Sequence, residues 1–170
     1  MKKRGQIWVE TLIYTLIAFV MIGLVLFFAG PKITEAQDKI IIEQSIEILE
    51  DMNSIILNIG IAGNKRLVEI NIKKGELKID GANNKIIFEI ESAYQFSQPG
   101  EDIPQGSITI RTEEKGEFNL VILTRDYSGS HDLKYQNNDQ LKTITRSSSP
   151  YKLFITNKGG SPTVIDFELG

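Results

Sequence analysis

One carboxylate and one histidine are the first places to look for chemistry in this chain. Glu10 lies inside an otherwise uncharged apolar run, where a carboxylate costs about 2.5–3.5 kcal/mol at the middle of a bilayer and less near its interface. His131 is the only histidine and lies in a predicted turn between Ser130 and Asp132. Ser128, His131 and Asp132 include the residue types of a hydrolytic triad. Neighbours in one turn do not form a triad, however, and no nucleophile elbow is present. We therefore predict that the protein is not an enzyme and has no catalytic residues.

Two loops have the composition of a ligand site but not its spacing. Residues 80–84, Asp-Gly-Ala-Asn-Asn, offer oxygen atoms but lack the spacing and closing glutamate of a calcium loop, so they predict a tight turn. Residues 158–161, Lys-Gly-Gly-Ser, lack the spacing of a phosphate loop and predict a hairpin. The absence of cysteine excludes disulfides and thiolate metal sites. Nineteen Lys and Arg against 22 Asp and Glu leave no basic excess for nucleic acid. We predict no metal, no cofactor and no nucleic-acid partner.

The element that must position Glu10 is the apolar run over residues 7–30, in which Glu10 is the only charge. A helix over this run is roughly 36 Å long, enough to span a membrane. Lys2, Lys3 and Arg4 precede it, whereas the lysines that follow are diluted by acidic residues. Because basic residues stay on the cytoplasmic side, the N-terminus is predicted inside and the rest outside. Phe27, three residues before Gly30, is not one of the small residues of a secretory cleavage site, which predicts that the run is retained as an anchor.

The chain begins with a compact set of features: the basic residues Lys2, Lys3 and Arg4, the junction of Gly5 with Gln6, and Glu10 in the apolar run. Together they resemble the class III signal peptide of archaeal type IV pilins and pilin-like proteins. In that family a prepilin peptidase cuts between the Gly and the Gln, which implies a leader over residues 1–5. Glu10 would then be the fifth mature residue, where bacterial and many archaeal pilins also carry glutamate. Gln6 in place of the Phe of bacterial pilins points to the archaeal type.

The resemblance implies a pilin or minor pilin-like subunit of an archaeal type IV pilus-like surface filament, used for adhesion or surface attachment. The implied partners are other copies or other pilins through the N-terminal helix, the prepilin peptidase, the assembly ATPase and its membrane platform. The protein would lie in the cell membrane with its head outside, and then in an extracellular filament. Glu10 is expected to pair with the free α-amino group of Gln6 on a neighbouring subunit, since an isolated charge in a low dielectric is penalised. A tolerated interfacial carboxylate is the alternative interpretation of Glu10.

Two other functions are open at this point. One is a non-polymerising single-span membrane protein with an extracellular β-domain for binding or adhesion. The other is a membrane-tethered enzyme, which the residue inventory disfavours. The Gly5–Gln6 junction together with Glu10 favours the filament subunit, because a plain membrane anchor needs neither.

The apolar pattern continues beyond the predicted membrane span. Six residues follow one another at helical spacing: Ile42, Ile46, Leu49, Met52, Ile56 and Ile59. They predict a helix that extends over residues 6–60, stops at Gly60 and is bent near Pro31, since proline kinks a helix that it interrupts. We expect this stripe to pack on the chain's own sheet, and the acidic residues beside it to form a solvated face.

From Arg66 onward the apolar period changes to two, which is typical of β-strands. About eight alternating segments separated by Gly- and Asn-containing turns predict an antiparallel sandwich over residues 61–170. Residues 97–106 and 137–139 are predicted to be exposed loops. The predicted fold class is α+β: a long N-terminal helix, apolar and then amphipathic, followed by an antiparallel β-sandwich-like head.

Overall fold

A computed structural model describes the backbone of residues 3–170 and the side chains from Trp8 onward. One helix, α1, runs over Lys3–Leu57 and is about 80 Å long. It continues through Pro31, which cannot donate the backbone hydrogen bond that an interior helical residue normally makes. The bend expected near Pro31 stays a prediction. Of the predicted leader over residues 1–5, Met1 and Lys2 lie outside the described part of the chain.

The C-terminal end of α1 is fastened to the β-sheets. The helix ends at Leu57, and Gly60, where the stop was predicted, has φ +81°, in the left-handed region that glycine favours. The Asn64 side chain donates to the carbonyl of Ile59 at 2.8 Å, and the Asn157 side chain donates to the carbonyl of Gly60 at 2.7 Å. Carbonyl groups just beyond the helix end therefore keep hydrogen-bond partners.

Ten strands follow the helix. They are β1 Lys65–Ile70, β2 Glu76–Asp80, β3 Lys85–Ser92, β4 Asp102–Gln105, β5 Ile108–Lys115, β6 Phe118–Asp126, β7 His131–Tyr135, β8 Leu141–Thr145, β9 Tyr151–Gly159 and β10 Thr163–Leu169. The first sheet has the order β1-β9-β10-β7, and the second has the order β4-β5-β6-β3-β2-β8. This arrangement confirms the predicted α+β class with antiparallel-rich sheets. One strand pair departs from the antiparallel prediction, because β7 and β10 pair in parallel.

Two strands were not predicted. The four-residue β4 lies within residues 97–106, which were expected to be irregular; all of its residues are exposed and it contains Pro104. An edge strand tolerates proline and needs no buried face, so β4 shows no apolar alternation. Likewise, β8 is an edge strand with a single buried residue, Ile144. His131 was placed in a turn and is instead the first residue of β7.

The two predicted tight connections are confirmed. Residues 80–84 join β2 to β3, with the Asp80 side chain accepting a hydrogen bond from the Asn83 backbone N–H at 3.1 Å. The 158–161 segment lies at the hairpin between β9 and β10. Asn84 has φ +53°, a conformation that asparagine tolerates better than most residues.

The hydrophobic core belongs to the helix and both sheets together. All six residues of the predicted stripe are at most 7% exposed, and α1 packs on β1, β3, β5 and β6. The residues of the sheets that join them in the core include Ile70, Phe88, Ile110, Leu123, Ile155 and Phe167. This confirms that the stripe packs on the chain's own sheets. The second half of α1 is therefore part of the head, while the first half extends away from it.

Candidate functional site

From Trp8 onward, the first half of α1 is an apolar rod on which no other described part of the chain packs. Every described residue from Trp8 to Val25 is exposed, and large side chains such as Trp8, Phe19 and Phe27 are 68–75% exposed. The segment is long and apolar enough to cross a membrane. Because exposed apolar surface of this extent is unfavourable in water, it requires a covering partner, either lipid or protein.

Glu10 is the only charge on this rod from Trp8 to Gly30, and it is exposed. Within the part of the chain whose side chains are described, no cationic group lies within 4.0 Å of its carboxylate. The backbones of Gly5 and Gln6 belong to the same helix, about one turn before Glu10, while the Gln6 side chain lies outside the described set. The predicted cleavage junction and the predicted assembly carboxylate thus share one helix end.

Three polar residues in the second half of α1 each make two hydrogen bonds to the head. The first is Asp38, whose side chain is 4% exposed. Its carboxylate accepts hydrogen bonds from the Lys74 ammonium at 2.6 Å and from the Ala93 backbone N–H at 2.7 Å. These bonds link the helix to the β1–β2 loop and to the residue after β3. A buried carboxylate is tolerable here because both of its oxygens are satisfied.

The second attachment residue is Glu50, which holds the turn between β4 and β5. Its carboxylate accepts from the Ser107 backbone N–H at 3.2 Å and from the Ser107 hydroxyl at 3.0 Å. A Cβ atom on Gly106 would lie 2.7 Å from the Glu50 carboxylate, and Gly106 has φ +59°, a conformation that glycine adopts without strain. The expectation that the acidic residues beside the stripe form a solvated face is therefore wrong for Glu50, which is half-buried and bound.

The third attachment residue is Asn53, which lies in a buried polar network. Its side-chain oxygen accepts from the Arg125 Nε at 2.8 Å and from the Tyr127 hydroxyl at 3.2 Å. The Arg125 guanidinium lies 4.7 Å from the centroid of the Tyr127 ring. Burial raises the pKa of Tyr127 to about 12, against a smaller opposing effect of Arg125. The phenol therefore stays protonated and keeps donating to Asn53.

His131 adjoins this network. Its ring packs edge-on against Tyr127 with a centroid distance of 5.8 Å, and its Nδ1 lies 3.1 Å from the Ser130 hydroxyl. Burial, together with the nearby Arg125 charge, lowers the pKa of His131. Ser128 bonds instead to Asp126 and to the carbonyl of Asn83. The triad residue types thus have separate structural contacts.

Asp38, Glu50 and Asn53 span about 22 Å of helix. The hydrogen bonds between helix and head are therefore spread along the helix and do not form a single hinge. Sequence analysis did not identify these three residues. Asp38 and Asn53 carry the only available signal. Asp38 precedes Ile42 by four residues and Asn53 follows Leu49 by four, so each places a polar residue in the apolar stripe. Polar residues at such positions are unusual unless they have a partner.

A cleft of a size that would suit a small ligand lies on the head. It has a volume of about 430 Å³ and lies on the second sheet between Lys74, Glu91, Leu120 and Arg146. Among the described residues, no group of three or more His, Asp or Glu side chains is arranged to hold a metal ion. The cleft mixes charges of both signs and does not single out a ligand.

Removing the Asp38 carboxylate should loosen the helix from the head. We expect Asp38→Ala, in a fragment that begins at Pro31, to lower the free energy of unfolding by about 1–3 kcal/mol, because the Ala93 N–H loses its buried acceptor. Urea unfolding followed by circular dichroism measures this change. Glu43→Ala is the matched control: Glu43 is exposed, with its nearest cation 3.9 Å away, and its loss should change stability by no more than about 0.5 kcal/mol. Equal stability of the two variants would show that Asp38 does not attach the helix.

Comparison with protein-family models, with curated proteins and with solved structures finds no match for this chain. The fold alone therefore defines the class of this protein. It is a protein with one long N-terminal helix, apolar and uncovered in its first half, whose second half is built into a β-rich head.

Proposed function

We propose that this protein is a structural subunit, a pilin or minor pilin-like component, of an archaeal type IV pilus-like surface filament that serves adhesion or surface attachment. The observation that carries the proposal is the single helix Lys3–Leu57, which joins an uncovered apolar half to a half built into the head. A filament subunit needs both halves: one to pack with other copies and one to hold its head in a defined position.

The attachment of the head supports a filament over a plain anchor. A membrane anchor can be joined to its external domain by a flexible linker, because the domain's orientation does not matter. Here Asp38, Glu50 and Asn53 hold the head against a continuous helix. Such an arrangement fixes the head relative to the apolar rod, so that regular packing of the rods would place the heads regularly as well.

The proposed cleavage site and membrane orientation follow from the N-terminal residues. Lys2, Lys3 and Arg4 would stay on the cytoplasmic side, where a prepilin peptidase would cut between Gly5 and Gln6. The head would lie outside the membrane, and the apolar half of α1 would leave the lipid when the assembly ATPase and membrane platform add the subunit to a filament. The carboxylate of Glu10 would then pair with the α-amino group of Gln6 on a neighbouring copy.

The terminus of the mature protein tests the proposal. We expect mass spectrometry of surface-extracted protein to find Gln6, free or cyclised to pyroglutamate, as the first residue, with the apolar segment retained. Gly5→Val should block cleavage, because the peptidase requires a small residue at the bond that it cuts. An intact Met1, or cleavage after Gly30, would contradict the proposal.

Shearing separates a filament from a non-polymerising anchor. Filaments released from the cell surface should contain the processed protein, whereas an anchor would remain wholly in the membrane fraction. If the processed protein is found only in membranes, the result favours the alternative function, a non-polymerising single-span membrane protein with an extracellular β-domain.

A further inference from the structure

We propose that the uncovered face of the second half of α1 binds a second copy of this chain, through carboxylates that meet a basic surface at the end of that copy's head. The inference rests on the proposed filament and deepens it by naming the two surfaces that join neighbouring heads. The face is called the outer face and comprises Ile33, Ile40, Glu43, Glu47 and Asp51. The basic surface is called the basic flank and comprises Lys73, Arg146 and Lys152.

The outer face lies opposite the stripe that packs in the core. At 100° per residue, Ile40, Glu47 and Asp51 fall within one narrow sector of the helix, about 180° from Ile42 and Leu49. Ile33 and Ile40 are 54% and 52% exposed, and the three carboxylates are exposed as well. The face therefore continues the apolar rod beyond Pro31 for about three turns and then becomes acidic.

The carboxylates of the outer face are poorly matched within one copy. Among the described residues, Glu47 and Asp51 have no cation within 4.0 Å, and Glu43 has only Lys39 at 3.9 Å. Glu43, Glu47 and Asp51 follow one another at intervals of four residues, a spacing at which like charges destabilise a helix. A cationic partner would therefore stabilise this part of α1.

The basic flank offers the complementary charge. All three of its residues are exposed. In the described part of the chain none of them has a carboxylate within 4.0 Å, and Lys73 bonds only to the amide of Gln44. The rest of the described, exposed cations have a carboxylate partner, with the exception of Arg66.

The three cations share one end of the head. Lys152 pairs with Glu69 near the end of β1, where no ion pair within 4.0 Å forms between them, and Thr145 pairs with Glu76 at the start of β2, which places Arg146 there. The β1–β2 loop that joins these positions carries Lys73 and bonds to Asp38. The basic flank therefore lies at the end of the head that is nearer the apolar rod.

A second copy is the partner that fits both surfaces. A helical filament is built from heterologous contacts, in which one surface of each subunit meets a different surface of the next. The basic flank is level with residues 38–44 of α1, and the acidic part of the outer face covers residues 43–51. If the apolar rods pack side by side, a displacement of one copy along the filament by about 5–11 Å, between one and two helical turns, brings the two surfaces to the same level.

Charge reversal with rescue tests the contact in cells that assemble the full-length protein. We expect the pair Glu47→Lys and Asp51→Lys to lower the ratio of sheared filament to membrane-bound protein by about tenfold, since like charges that face each other across an interface are strongly penalised. Adding Arg146→Glu and Lys152→Glu should restore most of the ratio. Adding Arg66→Glu, at the opposite end of the head, should restore none. The matched control pair is Glu114→Lys with Glu117→Lys, which makes the same charge change on exposed carboxylates outside the outer face and should leave the ratio unchanged.

Cross-linking gives an independent measurement, because the chain contains no cysteine. Filaments of the Glu47→Cys, Lys152→Cys double variant, treated with a short thiol cross-linker, should run as a ladder of multimers on a non-reducing gel. Filaments of Glu47→Cys with Arg66→Cys should remain monomeric. A ladder with the Arg66 pair but not with the Lys152 pair would overturn the inference, as would equal filament ratios for the reversal and the control.

The two proposals fail in different ways. If the wild-type protein forms no filaments, the proposed function is wrong. If the wild type forms filaments and reversal of the outer face has no effect, the filament stands and this contact is wrong.

Discussion

Residues 61–170 expressed without the preceding helix are expected to form no stably folded domain. The six stripe residues of α1 are buried among strands of both sheets, and each contributes about 1.5–3 kcal/mol when buried. Their sum, as an upper estimate of about 9–18 kcal/mol, is as large as the whole net stability of a typical domain, about 5–15 kcal/mol. The loss of Glu50 and Asn53 would also leave the partners Ser107, Arg125 and Tyr127 unsatisfied.

Circular dichroism and urea unfolding distinguish the outcomes. The fragment that begins at Pro31 should be soluble and monomeric, with a β-dominated spectrum, a helical contribution and a cooperative unfolding transition. The fragment that begins at residue 61 should unfold without a cooperative transition or should aggregate through its exposed core. Cooperative unfolding of the shorter fragment with a similar midpoint would show that the helix merely lies on a complete sandwich.

Glu10→Lys is expected to abolish incorporation into filaments while leaving the protein in the membrane. Glu10 is the only charge between Trp8 and Gly30, and the proposed partner is the α-amino group of Gln6 on another copy. Packed apolar helices exclude water, so removal of one partner leaves an uncompensated charge, which costs about 3–5 kcal/mol in a buried pair. Lysine adds repulsion to that loss, whereas Glu10→Gln removes the partner alone and should have the smaller effect.

The readout compares the amounts of protein in membranes and in sheared filaments for the wild type and both variants. Cleavage between Gly5 and Gln6 should be unchanged in Glu10→Gln, because that substitution removes a cost of membrane insertion and leaves the junction intact. The fraction of cleaved protein therefore serves as an internal control for expression and for membrane orientation. Equal filament yields from all three proteins would mean that Glu10 is a tolerated interfacial carboxylate and would favour the non-polymerising anchor.

The helix and most strands could be predicted because their signals are local. The stripe from Ile42 to Ile59 follows the 3.6-residue period, and strands such as β3 and β9 alternate with period two. The turn over residues 80–84 follows from Asn and Gly, whose backbones accept positive φ. In each case the pattern of residue types spans only a few residues. It depends on which side of a single helix, strand or turn faces away from water.

The attachment of the head and the arrangement of its edges were decided only by the tertiary structure. Glu50 meets Ser107 across 57 residues of chain, and Asn53 meets Arg125 across 72; no local pattern marks either pair. The edge strands β4 and β8 and the parallel pairing of β7 with β10 depend on which strands become neighbours. By itself, the sequence determined the order of the elements: an apolar helical segment, an amphipathic helical segment and a β-rich head. It could do so because apolar residues recur with the period of the element that buries them, and this period can be recognised along the chain. Which polar groups lock the helix to the head, and which charges remain unmatched, depends on distant residues that meet only when the sheets close around α1.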